Sequence, residues 1–246
     1  SEFPNPTPDW PVEVFGVLQT AREIGGDLYD FYRIDDRTLG VVVADVCEKG
    51  APAALFMAHT SSMLRVVTLL MAQLGSLPTP SAVMEQVNEE MCRVNQAGMF
   101  VTVFFAMLDM QSGTLSFCSA GHPMPYRLGA DGGIGRLAGT SGIPVGIEAG
   151  MQYETGSTRI EPGDAFFLYT DGVTEAMNGQ REFFGEIRLQ EALASLTRAS
   201  PRSMVDTVVG RVREFVAGAP QADDIAVIAV RAGLLSAFGN ATGASQ

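Results

Sequence analysis

Cysteine is scarce in this sequence, and positive charge is scarcer than negative. The three cysteines, Cys47, Cys92 and Cys118, give neither an even disulfide set nor a paired zinc spacing. Reduced thiols in a cytosolic protein are the expectation. Lysine and arginine total 16 against 28 acids, a net charge of −12. With no basic stripe to displace counterions, a nucleic-acid partner is excluded. No P-loop and no Gly-x-Ser-x-Gly elbow occurs, which sets those phosphate and acyl chemistries aside. No signal peptide is read at the start. The most apolar segment, Val66–Met84, is broken by Pro78 and Pro80, so no membrane contact is expected within the chain. The expected location is the cytoplasm, either alone or as the cytoplasmic domain of a longer sensor protein.

What is present is an apolar core and a set of acids placed against it. With 46% hydrophobic and 18% charged residues, 246 residues can bury a sizeable core. Val41-Val42-Val43-Ala44 is a β-branched run that reads as a buried strand and ends on Asp45. A carboxylate there is costly unless something cationic meets it. The pattern recurs three times: Gly25-Gly26-Asp27 before Leu28, Phe166–Thr170 before Asp171, and Asp223-Asp224 before Ile225–Val230. Four acids, remote in sequence and each beside a buried strand, suggest one shared metal centre. Their oxygens are hard ligands, suited to magnesium or manganese rather than zinc. Several carboxylates in one pocket raise each other's pKa. Two ions about 3.5–4 Å apart would relieve that conflict and activate a water for attack on a phosphoryl group.

Periodicity places these acids in an α+β chain. Strands are predicted over Val12–Leu18, Asp27–Ile34, Leu39–Ala44, Phe100–Leu108, Leu115–Ser119, Pro125–Leu128 and Glu154–Ile160, with two more ending at Asp171 and spanning Ile225–Val230. Pro52–Leu74 carries apolar residues on nearly every face, as a helix buried on most sides would. Thr79-Pro80 reads as an N-cap with proline at the first position of a helix running to about Asn95. Phe184–Leu196 and Ser203–Val216 read as amphipathic helices. Strands grouped around helix pairs favour a layered sandwich, one helix pair on each sheet. Residues 1–11 are read as a lead-in, with Ser1-Glu2-Phe3 matching a cloning remnant. The domain is 12–231, and 232–246 is a flexible tail.

At this point the motifs resemble a known family. Ile24–Phe31, Ala44-Asp45-Val46 with Lys49-Gly50, Ala120-Gly121-His122-Pro123, Thr170–Ala176 with Phe184-Gly185, and Asp223-Asp224-Ile225 stand in the order of the metal-dependent (type 2C-like, PPM) serine/threonine phosphatases. The branch is the bacterial, sigma-factor-regulating one (SpoIIE/RsbU-like), and the likeness runs from about Phe15 to Val230. It implies a four-layer α-β-β-α sandwich of two mainly antiparallel sheets, with two Mn²⁺ or Mg²⁺ ions at one end. By matching motifs, Asp45 would bridge both ions and the Val46 carbonyl would complete one coordination sphere. Asp171 and Asp223 would bind the other ion, Asp27 would act directly or through water, and Asp224 would support. The implied substrate is a phosphoserine or phosphothreonine on a small STAS-type anti-anti-sigma protein, hydrolysed by direct attack of metal-activated water. In the family the helices between the first two motifs act as a switch, often through dimerisation; here that maps to Pro52–Asn95.

Two positions depart from the pattern. Ala226 stands where the family often has threonine, so a supporting hydroxyl is missing. Cys47 stands where many eukaryotic relatives have a histidine proposed as general acid, which leaves leaving-group protonation unassigned. These departures motivate an alternative: a catalytically weak pseudophosphatase that only binds or sequesters its partner. Each aspartate alone also fits a strand-end cap, and Gly25-Gly26-Asp27 alone a diguanylate-cyclase signature. His122 reads as a hydrogen-bonded structural histidine rather than a phosphate contact, His59 as a core or interface residue, and Cys47 as structural rather than a redox switch beside the metal. Asp30 and Glu175 read as loop stabilisers. The Asn240-Ala241-Thr242 sequon carries no meaning in a cytosolic tail.

Overall fold

The computed structural model describes residue 7 and residues 10–75, 77–95 and 97–232. One sheet contains β1 (Val12–Gln19), β11 (Ile225–Ala232), β10 (Ala165–Tyr169), β6 (Tyr126–Leu128) and β7 (Ile134–Arg136), in that spatial order. The other runs β2 (Asp27–Arg33), β3 (Thr38–Val46), β4 (Val101–Asp109), β5 (Thr114–Ala120), with β8 (Ser141–Gly142) and β9 (Gly156–Arg159) both on β5. Every pairing is antiparallel except the two-residue contact between β5 and β8.

The continuous apolar runs follow from burial on both faces. Along β3, Val41 and Val43 point into the core between the sheets, while Val42, Ala44 and Val46 point to α1 (Ala51–Gln73) and α2 (Pro80–Val94). Along β11, Ile228 and Val230 enter the same central core. Ile225, Val227 and Ala229 pack under α3 (Gly185–Ala194) and α4 (Pro201–Val216). Three apolar layers therefore separate four structural ones, which is the expected α-β-β-α sandwich with one helix pair on each outer face.

Side-chain caps set the starts of α2 and α4. Thr79 Oγ1 accepts from Ala82 N–H at 3.3 Å, with Pro80 leading the helix. Ser200 Oγ accepts from Ser203 N–H at 3.2 Å with Pro201 next, so α4 begins two residues before the predicted Ser203. The predicted tail starts one residue too early, because Ala232 closes β11. Residues 1–6, 8 and 9 of the lead-in, residues 233–246 of the tail and the sequon lie outside the described residues.

The larger correction concerns α1. Its buried residues, from Ala53 through Phe56, Met57, Thr60 and Leu64 to Val67 and Thr68, form one stripe. Leu55 is 73% exposed and Val66, Leu70 and His59 also face outward, so the helix is not buried on most sides and His59 is not in the core. Apolar composition on every face hid the fact that α2 and the sheet can cover only one of them. By length and composition α1 is, among the described residues, long and apolar enough to cross a membrane, which the Val66–Met84 window overlooked. Its buried stripe is docked on protein. Arg65 holds Asp30 of β2 through Nη2 at 2.8 Å and 2.9 Å and through Nε at 3.2 Å, and its guanidinium stacks on Tyr32.

Candidate metal centre

The acids gather because strand ends from both sheets meet at one end of the sandwich. Antiparallel register sets Asp27, the first residue of β2, directly opposite Asp45 near the end of β3. Asp27 shares its face of the strand with Tyr29 and Phe31, which pack into the core between the sheets, so its carboxyl points toward the second sheet. There β10 has just ended at Tyr169, Asp171 opens a single 3₁₀ turn, and Asp223-Asp224 lead into β11. Asp27 and Asp224 are buried; Asp45, Asp171 and Asp223 are half-buried.

Close backbone approach accounts for the glycines in the motifs. A Cβ on Gly172 would lie 1.8 Å from the Asp224 carbonyl oxygen, and one on Gly26 would lie 2.6 Å from Val46 Cγ1. Both are nearer than real Cβ atoms come, so no side chain fits against the backbone at Gly172, and one at Gly26 would require Val46 to move.

Three polar bridges tie the two halves together here. Thr170 Oγ1 donates to Asp27 Oδ2 at 2.6 Å and accepts from Ala226 N–H at 2.9 Å. Thr170 thus links Asp27 of one sheet to the Ala226 backbone of the other, 56 positions later in the chain. Asp224 spends both oxygens on backbone: Oδ1 accepts from Ala21 N–H at 2.7 Å and Oδ2 from Gly26 N–H at 2.5 Å. His122 is fully buried between the sheets. Its Nε2 meets the Tyr169 carbonyl at 3.1 Å, which can only accept, so Nδ1 takes the Thr102 hydroxyl proton at 2.9 Å. That is the structural histidine the sequence suggested. Thr102 is the β4 neighbour of Asp45, so His122 locks the strand ends carrying Asp45 and Asp171 to one another.

The electrostatics are those of crowded, partly dehydrated acids. Burial pushes the Asp45 carboxyl far up, and Asp27, Asp171 and Asp223 push it further. Burial also raises Asp27, against the opposing hydrogen bonds from Thr170 and Asp45. Asp171 is raised by burial, then by Glu175 and Asp223, and eased by the Gly172 N–H and Lys49. Lys49 Nζ stands 2.8 Å from Asp223 Oδ1 and donates to the Ala222 carbonyl at 2.7 Å.

Among the described residues, no three acids, histidines or cysteines stand at a ready-made coordination spacing. Asp223 is turned to Lys49 and Asp27 to Thr170. The donor set nevertheless suits a hard divalent cation. Its side-chain donors are carboxylate oxygens, and four of them disfavour one another's charge without a cation between them. Cys47 is exposed and accepts from Phe100 N–H at 3.2 Å, away from a ligand role. Asp30 is absorbed by Arg65, and Glu175 is exposed. The parts that sequence reasoning missed are Thr170 and Thr102, and it gave Lys49 no role. Thr170 had a signal, standing directly before Asp171 in a quoted motif; Thr102 had none.

The family model for Stage II sporulation protein E (SpoIIE) matches residues 35–233. Protein IcfG of Synechocystis sp. is 31% identical over 246 residues, covering 89% of this chain and 37% of its own length. Phosphoserine phosphatase RsbU of Bacillus subtilis is 29% identical over 202 residues, covering 80% of this chain and 56% of its own length. The chain thus spans between about a third and a little over half of these curated relatives. The solved structure of the PP2C phosphatase domain with a fragment of the regulatory domain of SpoIIE from Bacillus subtilis superposes with a TM-score of 0.76 at 17% identity, covering 92% of this chain and 64% of that one. A match over most of the chain, on a shared architecture, places it: the chain belongs to the SpoIIE family, the SpoIIE/RsbU-like branch of the metal-dependent (PPM) phosphatases.

Proposed function

We propose that this chain is a phosphoprotein phosphatase that hydrolyses the phosphate ester of a phosphoserine or phosphothreonine on a small, STAS-type regulatory protein. The observation that carries the reading is the convergence of Asp27, Asp45, Asp171 and Asp223 from both sheets on one end of the sandwich. In this reading Asp45, Asp171, Asp223 and Asp27, with the Val46 carbonyl, hold two Mn²⁺ or Mg²⁺ ions. Bound there, such ions supply an activated water and neutralise the phosphoryl oxygens. Asp224 supports by closing the 20–26 loop on Gly26, and Thr170 fixes the Asp27 carboxyl. Burial of Asp27 keeps bulk water off one side. Water adds to phosphorus, the ester P–O bond breaks, the serine or threonine oxygen leaves as an alcohol carrying a proton that derives from the water, and inorganic phosphate is released.

The binding-only alternative rests on the alanine at 226; the four aspartates, all present and gathered at one end, favour the enzyme. The partner is read as a member of a partner-switching circuit, in keeping with RsbU, a named phosphoserine phosphatase. The protein works in the cytoplasm, alone or as the cytoplasmic domain of a longer sensor, with residues 12–231 as the catalytic unit. The exposed face of α1 within Pro52–Asn95 pairs with a second copy. The test is hydrolysis of p-nitrophenyl phosphate in manganese buffer. Asp45→Ala and Asp171→Ala each lose turnover to background with the circular dichroism spectrum intact. Full activity in either variant refutes the mechanism.

A further inference from the structure

A cavity of about 300 Å³ adjoins the acid cluster on its Asp171–Asp223 side. It lies between the last turn of α4 and the segment after Asp171, and counts Gly172 and Asp223 among its walls. Ala217 and Gly218, both with positive φ, turn the chain sharply after α4, and residues 220–222 return it past the cavity to Asp223. The lining is mainly apolar, with Val212 and Val216 from α4, Met177 from the opposite side and Ile225 beneath. The half-buried Met177 side chain can adapt to different occupants.

The polar groups narrow the choice of ligand. The amide nitrogen of Gln221 is already engaged, donating to the carbonyls of Gln19 at 2.9 Å and Asp223 at 2.7 Å. Little is left to specify a small polar molecule. Arg213 also lines the cavity, is exposed, and among the described residues has no carboxylate partner. The neighbouring cation, Lys49, is taken by Asp223. An apolar hollow continuous with the acid cluster, with one unpaired cation in its wall, fits a chain that carries aliphatic and acidic side chains past the site.

We propose that this cavity is the recognition subsite for the residues flanking the phosphorylated one. It takes an aliphatic side chain of the phosphoprotein against Val212, Val216 and Met177, with a neighbouring carboxylate of the same segment on Arg213. The proposal rests on the phosphatase reading and adds the sequence class of the substrate. Binding energy collected here is spent on orienting the phosphate ester rather than on the bond that breaks.

The test compares p-nitrophenyl phosphate, which cannot reach the subsite, with phosphoserine heptapeptides carrying Leu, Ser, Asp or Lys at each flanking position. Wild type favours a Leu-flanked over the matching Ser-flanked peptide by about tenfold in kcat/KM at one position. At a nearby position it favours Asp over Lys. Val216→Trp fills the hollow and erases the leucine preference, while p-nitrophenyl phosphate turnover is unchanged. Arg213→Glu, at an exposed position that folding tolerates, reverses the Asp-over-Lys order. Uniform rates on all peptides, or preferences that survive in both variants, overturn the subsite while the phosphatase reading stands. No turnover of any substrate by wild type sinks that reading and the subsite together.

Discussion

Lys49 sits where a ligand is expected to be free. Its ammonium holds Asp223 Oδ1 at 2.8 Å and the Ala222 carbonyl at 2.7 Å, so it competes with a divalent ion for the same oxygen. Both partners are more than a third exposed, so the pair contributes at most about 1 kcal/mol to stability. Lys49→Gln is therefore expected to tighten Mn²⁺ binding in calorimetry with little change in urea midpoint. Weaker binding would mean that Lys49 presents Asp223 to the metal instead of withholding it. His122 makes a pH prediction. Burial lowers its pKa from 6.5 to about 4. Below pH 6.5 the unfolded chain takes up a proton that the folded one refuses until about pH 4. Stability from the neutral imidazole is thus complete above 6.5 and drains away as pH falls toward 4, by roughly 3 kcal/mol at the limit. The difference in unfolding free energy between wild type and His122→Asn should shrink across that window, because other acids titrate equally in both. A pH-independent difference would contradict the assignment.

Among the elements, α1 is the one whose two faces disagree. Its buried stripe is anchored by Arg65 on Asp30 and Tyr32, and by the Tyr32 hydroxyl on Thr68 Oγ1 at 3.3 Å. The opposite stripe, Leu55, His59, Val66 and Leu70, recurs at helical spacing and meets solvent. An apolar stripe of that length is costly to leave in water. Paired with a second copy, it would be covered. Sedimentation velocity should show a concentration-dependent dimer that Val66→Glu with Leu70→Glu converts to monomer, with the urea midpoint preserved because both positions are exposed. A wild type that stays monomeric at all concentrations removes this partner.

For the whole molecule, the acid end is where stability is given up. The two sheets are cross-linked there by His122, by Thr170 on Asp27 and by Asp224 on Gly26, and these bonds hold repelling carboxyls in one place. In EDTA, Asp45→Asn should therefore unfold at higher urea than wild type, since it removes a half-buried acid from three neighbours of the same charge. With Mn²⁺ at about one hundred times its Kd, wild type should gain about 2.7 kcal/mol and the variant much less. A variant less stable than wild type in EDTA would show that the cluster is not under such repulsion.

How much of this was legible depended on whether the cause was local. The Thr79-Pro80 start was readable because a cap acts on the next turn; Ser200-Pro201 carries the same signal three residues ahead of Ser203. The order of acids beside buried strands pointed to the site, because a carboxylate at the end of an apolar run is conspicuous on its own. The role of Thr170 was not readable, since only the pairing of β10 with β11 brings its hydroxyl to Ala226. Nor was the outward stripe of α1, because apolar residues look alike until a neighbour covers some of them.

Local chemistry set the capped helix starts, the apolar runs that become the main strands, and the acids beside them, because caps and periodicity act over a few residues along the chain. Only the packed sheets decided that Asp27 faces Thr170, that His122 joins Thr102 to Tyr169, and that Lys49 reaches Asp223. Those contacts span tens to hundreds of residues, and no spacing in the sequence encodes a distance across a core.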